Sequence, residues 1–401
     1  MENKKIKKLF SEMDWEFEKD DTRFSTHDYH RYPSKYIPQI AETLIVNLSK
    51  KGDTVLDVFL GSGTTLVEAN RLERKSIGVD LNPVAYLVSM VKTTPIDIEK
   101  LDKQIASFTN RVSPQIILSR ESRELSQIDS KNNSFEKPTY VLPDFQYAEN
   151  WFQKQVLVEL SIIRDAILNI KDKEIQRFFI CAFSGIVRAV SNAASGFGNL
   201  MIDKNKRKIT NAFEVFVSQL LKMRSGMVGF NESYKKDYTV EVHQGDSQHL
   251  DFIEDSSIDC IVTHPPYVAA VPYAEYLKLS LLWLQEFFPN VFPLQNEEML
   301  KPKELDKVII GGRRSSKDVV ERFDIGMQNV FNEMYRVLKK DKYCAVVIGN
   351  PVVRGEVIFC NKTFVDQAKV SGFKFIQEVR RGKHRTTMGK MKEEFMLIFQ
   401  K

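Results

Sequence analysis

The chain has 401 residues, of which 43% are hydrophobic and 28% charged, and its formal net charge at pH 7 is +5. This length is enough for one large α/β domain with an insertion, or for two domains, and the charge permits a polyanionic partner without requiring one. The four cysteines have no CxxC spacing, so neither a zinc site nor a disulfide framework is indicated. Because no apolar stretch reaches about 18 residues and the N-terminus lacks a signal-peptide core, we expect a cytoplasmic protein without a membrane span.

Short runs of β-branched and apolar residues predict seven strands. The first two runs are separated by a segment of helical length, residues 65–74, as a βαβ unit requires. The last two runs lie close together and predict an antiparallel pair. We therefore expect an α/β fold with a doubly wound, Rossmann-like sheet, which binds ligands beyond the carboxyl ends of its strands. The predicted strands are 54–58, 76–79, 239–243, 258–262, 343–348, 373–379 and 395–399.

A large insertion interrupts this pattern between the second and third strands. The spacing divides the chain into residues 1–90, a mainly helical insertion at 91–238, and residues 239–401. Apolar residues at three- and four-residue spacing predict helices at 145–170 and 174–190, and the polar stretch 119–138 is expected to be an exposed loop. A second insertion is expected at 285–323.

A glycine turn follows the first predicted strand and opens a helix. Glycine is required where the backbone turns sharply and comes close to a ligand, because a Cβ atom would collide. The next predicted strand ends at Asp80, followed by Asn82, and an acid in that position can accept hydrogen bonds from both hydroxyls of a ribose. The third glycine of the dinucleotide fingerprint is replaced by Leu66, which disfavours a nicotinamide cofactor. The residues singled out in the turn are Asp57, Phe59, Gly61 and Gly63.

Residues 263–267 read Thr-His-Pro-Pro-Tyr and follow the fourth predicted strand. With the glycine turn upstream, this segment resembles the motif pair of the S-adenosylmethionine-dependent DNA amino-methyltransferases of the N4-cytosine and N6-adenine type. In that family a four-residue Asp/Asn/Ser-Pro-Pro-Tyr/Phe loop holds a flipped-out base. His264 occupies the first position of the loop here and departs from the usual residues.

The resemblance implies a set of cofactor residues and a set of catalytic residues, and no metal ligands. Residues of the glycine turn would line the methionine end of the cofactor, Asp80 would hold the ribose, and Asp246 would contact the adenine amino group. Lys35 would pair with the cofactor carboxylate, and Tyr36 would cover the cofactor. The cofactor set is Lys35, Tyr36, Asp57, Phe59, Gly61, Gly63, Asp80, Asn82 and Asp246, and the catalytic set is His264, Pro265, Pro266 and Tyr267.

An exocyclic base amine is a poor nucleophile because its lone pair is delocalised into the ring, so the loop must supply acceptors for the amine hydrogens. By the resemblance, these are the side chain of His264 and the carbonyl of Pro265, while Tyr267 stacks on the base. A neutral imidazole offers one acceptor nitrogen and can also take up the proton that the amine loses.

Residues around the loop favour cytosine N4 as the target atom. Thr263 and the Tyr273-Ala274-Glu275 segment resemble the corresponding parts of cytosine-N4 enzymes, and Tyr273 can help to wall the base pocket. Adenine N6 remains the alternative, whereas cytosine C5 is disfavoured because the chain has no Pro-Cys nucleophile.

The expected partner is DNA, and a cognate restriction endonuclease is expected as a further partner. The insertions at 91–238 and 285–323 are the candidates for target recognition. Basic residues at 380–385, with Lys390 and Lys392, are typical of phosphate contacts. Two alternatives stay open: an RNA base methyltransferase, and a nucleic-acid-binding protein whose loop His264 has disabled.

Overall fold

A computed structural model of the chain describes residues 2–128, 140–145, 147–194, 200–206, 211–269, 271–288, 291, 294–312, 317–382 and 393–401. Within these ranges, seven strands form one mixed sheet and two short strands form a separate ribbon. The strands are β1 Thr54–Asp57, β2 Lys75–Asp80, β3 Val240–Gln244, β4 Ile258–Thr263, β5 Leu338–Gly349, β6 Val352–Val353, β7 Glu356–Val357, β8 Lys374–Arg381 and β9 Glu394–Gln400, of which β6 and β7 make the ribbon.

The strand order in the large sheet is β3-β2-β1-β4-β5-β9-β8. Strands β1 to β5 run parallel, and β9 is antiparallel to both β5 and β8. This confirms the predicted doubly wound sheet of seven strands and its antiparallel final pair. The order reverses between β1 and β4, where Val55 pairs with Cys260. A doubly wound sheet binds its ligand at such a switch point, beyond the carboxyl ends of the strands.

Helices cover both faces of the sheet or pack beside it. They are α1 Glu2–Glu12, α2 Pro38–Leu48, α3 Thr64–Arg71, α4 Pro83–Thr93, α5 Ile98–Ile128, α6 Ala148–Trp151, α7 Lys154–Leu168, α8 Lys173–Val187, α9 Ala212–Ser233, α10 Tyr273–Tyr276, α11 Lys278–Gln285, α12 Pro302–Val308, α13 Val319–Val337 and α14 Cys360–Val370, with a 3₁₀ helix at Glu297–Leu300. None of the helices in the described ranges combines the length and hydropathy that crossing a membrane requires.

The two-residue period of β5 explains why helices pack on both of its faces. Cys344 and Val346 lie in one core with α13 and α14, whereas Ala345 and Val347 lie in another with α1 and α2. A strand segment that is buried on both faces is apolar throughout, as residues 344–348 of β5 are.

The insertion is helical, as predicted, and α7, α8 and α9 share an apolar core with α4 and α11. The expected helix at 145–170 is divided into α6 and α7. The expected exposed loop at 119–138 was wrong over 119–128, because α5 continues to Ile128, and residues 129–139 lie outside the described ranges. Ion pairs hold this part of α5: Nε of Arg120 lies 2.9 Å from Oε1 of Glu159, and Nη1 lies 2.8 Å from Oε1 of Glu214.

Candidate active site

A cleft opens at the carboxyl edge of the sheet, beyond the ends of β1, β2 and β4. It is partly open to solvent. Most of the predicted site residues line it: Lys35, Tyr36, Phe59, Gly61, Asp80, Asn82, Asp246, His264 and Pro266. The remaining predicted residues, Asp57, Gly63, Pro265 and Tyr267, are not among the residues that line this cleft.

The glycine turn brings backbone into the cleft. Gly61 and Gly63 have φ angles of 51° and 74°, which lie in the left-handed region that favours glycine. A Cβ atom on Gly63 would lie 2.8 Å from Oγ of Ser89 on α4, and that hydroxyl donates to the Gly61 carbonyl oxygen at 3.1 Å. Gly63 therefore packs the turn against α4, while Gly61 lines the cleft.

Asp57 lies buried behind the turn, where it joins three chain segments. Its carboxylate accepts hydrogen bonds from Oγ1 of Thr65 at 2.5 Å, from Oγ1 of Thr263 at 2.7 Å and from the backbone N–H of Phe59 at 3.1 Å. Burial raises the pKa of Asp57 to about 6, although these hydrogen bonds oppose the rise. The residue thus fixes the ends of β1 and β4 and the start of α3 relative to one another.

Asp80 ends β2 and faces the cleft. Its Oδ2 accepts from the Gly61 N–H at 2.8 Å and its Oδ1 accepts from the Asn82 N–H at 2.9 Å. Burial raises the pKa of Asp80 to about 6. Asn82 caps α4, because its side-chain oxygen accepts from the Val84 N–H at 2.9 Å. Each oxygen of Asp80 keeps a further lone pair for a ligand, since a carboxylate offers about four acceptor positions.

The walls of the cleft come from segments that are distant in sequence. The Tyr36 hydroxyl hydrogen-bonds Thr65, and Nζ of Lys35 donates to the His27 carbonyl oxygen at 2.8 Å. On the other side, the backbone N–H of Gly245 donates to the Asp80 carbonyl oxygen at 3.1 Å, which holds Asp246 beside the end of β2.

His264 follows β4 and borders the cleft with only 6% of its side chain exposed. Its Nε2 lies 2.6 Å from the hydroxyl of Tyr267, which in turn donates to Oε1 of Glu394 at 3.1 Å. Nη1 of Arg381 donates to Oε2 of the same carboxylate at 2.9 Å. Burial lowers the pKa of His264, and the charge of Glu394 partly opposes this, so the imidazole is neutral at pH 7.

The Pro-Pro-Tyr part of the loop divides between the cleft and the core. Pro266 lines the cleft, whereas Tyr267 is 4% exposed and packs in the core that holds α13 and α14. Tyr273, which the sequence indicated as a wall of the base pocket, also lines the cleft.

Further residues outside the predicted site set line the cleft. Tyr32, Pro33 and Ser34 lie beside the predicted Lys35, and the apolar segment 308–310 closes the cleft from the second insertion. No local pattern marks 308–310 as part of a site. Glu394 was missed as well, because its partner Tyr267 is far from it in the chain. Of the expected phosphate contacts at 380–385, Arg381 was wrong, because its side chain is buried and pairs with Glu394, whereas Arg380 is exposed and pairs with Glu393. Residues 383–385, Lys390 and Lys392 lie outside the described residues.

Comparisons with known proteins agree with this geometry. A family model described as DNA methylase, of the N6 and N4 methyltransferase type, matches residues 2–90. The chain is 27% identical over 379 residues to the type II methyltransferase M.MvaI of Kocuria varians, which covers 83% of this chain and 79% of that protein. It is 22% identical over 422 residues to the type II methyltransferase M.MjaII of Methanocaldococcus jannaschii, with 86% and 76% covered.

Among solved structures, a SAM-dependent methyltransferase from Methanosarcina mazei matches at 11% identity with a TM-score of 0.32, covering 89% of this chain and 95% of that one. The family model and the two relatives support the assignment of this chain to the S-adenosylmethionine-dependent DNA amino-methyltransferases, which modify cytosine N4 or adenine N6.

Proposed function

We propose that the enzyme methylates N4 of cytosine within a specific DNA sequence, as the modification partner of a restriction endonuclease. One observation carries the proposal: His264 and Pro266 of the Pro-Pro-Tyr loop border the same cleft as Gly61 and Asp80. A methyl donor held by the glycine turn would therefore lie next to a base held by the loop.

The cleft suits S-adenosylmethionine, which when bound supplies a methyl group on a positively charged sulfur. Asp80 has lone pairs left for the two ribose hydroxyls, and Gly61 provides bare backbone where a side chain would obstruct the ligand. Asp246, which would contact the adenine amino group, lies beside β2, and Lys35 and Tyr36 also line the cleft. Asp57 and Gly63 support these groups from behind.

His264 takes the part that Asp, Asn or Ser takes in relatives. Its neutral imidazole supplies an acceptor for the amine of the flipped base, and the carbonyl of Pro265 supplies another. As nitrogen forms its bond to the methyl carbon, the carbon–sulfur bond of the donor would break with its electron pair left on sulfur, and the nitrogen would become positively charged and give one proton to the imidazole. The N–H bonding pair returns to nitrogen, so the methylated amine leaves neutral.

The choice of cytosine N4 rests on the residues around the loop. Thr263 precedes it, and Tyr273 lies on its far side with Glu275 two residues later. Thr263 is also structural, because its hydroxyl donates to Asp57. Tyr273 lines the cleft, where its ring can contact the base.

Target recognition is assigned to the helical insertion at 91–238, and the cofactor and catalytic segments to residues 1–90 and 239–401. All strands of the large sheet come from the latter two segments, and the insertion packs on the sheet domain through α4 and α11. Such long connections commonly carry recognition functions.

The test is methyl transfer from isotope-labelled S-adenosylmethionine to unmodified DNA, with total RNA in parallel, followed by mass spectrometry of the nucleosides. N4-methylcytosine in DNA, lost in Tyr267→Ala, is the expected result. N6-methyladenine would replace cytosine by adenine as the target, and product only in RNA would refute DNA as the substrate.

His264→Ser restores the first residue of the Ser-Pro-Pro-Tyr loop and serves as the matched variant. We expect reduced but measurable transfer, because serine supplies an acceptor without taking up the proton. An inactive wild type together with an active His264→Ser would show that the histidine disables the loop.

A further inference from the structure

A buried chain of polar groups leads from the core of the sheet to His264. Arg381 on β8 donates to Oε2 of Glu394 on β9, and Oε1 of Glu394 accepts from the Tyr267 hydroxyl. The same hydroxyl oxygen lies 2.6 Å from Nε2 of His264. The side chains of Arg381, Glu394 and His264 are only 4%, 8% and 6% exposed.

The proton positions in this chain follow from simple counting. The pKa of Tyr267 is raised by burial and by the charge of Glu394, so the phenol keeps its single proton. That proton goes to the carboxylate of Glu394, which is the stronger acceptor because it is ionised, a state that the pairing with Arg381 favours. The phenol oxygen then has lone pairs for His264, and Nε2 of His264 must carry the hydrogen. Nδ1 is left as the lone-pair nitrogen of the neutral ring.

From this arrangement we propose that Glu394 and Arg381 are positioning residues for methyl transfer, which act through the Tyr267 hydroxyl to hold His264 as the Nε2–H tautomer and to stabilise it once it is protonated. The proposal deepens the proposed function and rests on His264 as the acceptor of the amine proton. When Nδ1 takes that proton, its lone pair forms the new N–H bond and the positive ring remains hydrogen-bonded to Tyr267. The Nε2 atom then lies 4.0 Å from Oε1 of Glu394, whose negative charge favours the imidazolium.

The surroundings of His264 offer acceptors and one nearby negative charge. The ring packs edge-on against Tyr36, with centroids 5.4 Å apart, and the backbone of Ser34 favours the protonated form of the ring, which raises the pKa of His264. The titratable or charged groups of the elements packed here are Tyr267 of the loop, Glu394 of β9, Arg381 of β8 behind Glu394, Tyr36 of the segment before α2, Asp57 behind Tyr36, and Tyr273 of α10 beside Tyr267.

The decisive variant is Glu394→Gln, which keeps the shape of the side chain and removes its charge. Loss of an opposite charge this close lowers the pKa of His264 by about one unit. Single-turnover rates, measured with enzyme in excess over DNA and saturating S-adenosylmethionine, should therefore show an acid limb displaced to lower pH by about that amount. Glu393→Gln is the matched control, because its carboxylate is next in sequence but pairs with the exposed Arg380, and it should leave the limb in place.

Nitrogen NMR of ¹⁵N-histidine-labelled protein gives a readout that does not require turnover. The His264 signal, assigned by its absence in His264→Ser, should show the Nε2–H tautomer in the wild type and a lowered pKa in Glu394→Gln. An unchanged tautomer and pKa in Glu394→Gln would overturn the inference, whether or not the enzyme methylates. The inference would also be overturned if the wild type is active and Glu394→Gln lowers the His264 pKa without displacing the acid limb of the rate profile.

Glu394→Gln leaves the charge of Arg381 buried without its partner, which can prevent folding. Tyr267→Phe breaks the chain at its centre and leaves the Arg381–Glu394 pair intact. In that variant the His264 signal should lose its Nε2–H preference, and retention of the wild-type signal would refute the inference. Absence of any methylated base from wild-type reactions would instead refute the proposed function, while the NMR result still decides on the hydrogen-bonded chain.

Discussion

Replacing Gly63 with alanine tests whether the glycine turn is shaped by its contact with α4. Two penalties are expected. A left-handed conformation costs an L-residue about 1–2 kcal/mol, and Gly63 has a φ of 74°. The new Cβ would also lie 2.8 Å from Oγ and 3.1 Å from Cα of Ser89, so the turn or α4 must shift. Overpacking of this kind costs about 1–3 kcal/mol.

Gly52→Ala provides the matched control. Gly52 has a φ of 84°, but its Cβ would meet nothing within 4 Å. Both substitutions change the entropy of the unfolded chain in the same way, so their difference isolates the contact with Ser89. Urea denaturation should show a loss in the free energy of unfolding that is about 1–3 kcal/mol larger for Gly63→Ala.

The same pair of variants links the turn to the cofactor. Calorimetric titration should show S-adenosylmethionine binding weakened by about tenfold or more in Gly63→Ala, because displacement of the turn removes the Gly61 N–H from Asp80. Binding to Gly52→Ala should match the wild type. Equal destabilisation by the two substitutions, with equal cofactor affinity, would refute the argument from the turn.

Three further outcomes are expected. Affinity for S-adenosylmethionine should fall by up to about tenfold per pH unit below the Asp80 pKa of about 6, because the ribose hydroxyls require the ionised carboxylate. Calorimetric titration of Asp80→Asn should show weaker binding that depends less on pH. Burial lowers the pKa of Lys92 to about 7, so above that pH the unfolded chain binds more protons than the folded one. In urea titrations the free energy of unfolding of the wild type should therefore rise relative to that of Lys92→Met between about pH 7 and 10. A difference between the two proteins that does not change with pH would contradict this. Glu159→Gln weakens the ion pair that holds Arg120 and should lower the free energy of unfolding by about 1–3 kcal/mol. It should also lower the affinity for DNA and leave the affinity for the cofactor unchanged, which would show that the insertion and the cleft have separate binding roles.

Local sequence patterns were enough to predict the strands of the sheet, the glycine turn and Asp80. The seven strands were predicted because an apolar run buried on both faces, as in β5, carries its signal in adjacent residues. The glycine turn and Asp80 were predicted for a similar reason: Gly61 and Asp80 are positioned by the strands that precede them, and the carboxyl ends of adjacent parallel strands share one edge.

Contacts between distant segments decided the rest. The end of α5 was mistaken for a loop because Arg120 is held by Glu159 and Glu214, which no local window includes. His264 was recognised as the unusual residue of the loop, but its tautomer depends on Glu394, which reaches the loop only because β9 inserts beside β5. Sequence periodicity reports which side of an element is apolar, whereas the partner of a buried polar group is set by the pairing order of the strands, and that order exists only in the folded chain.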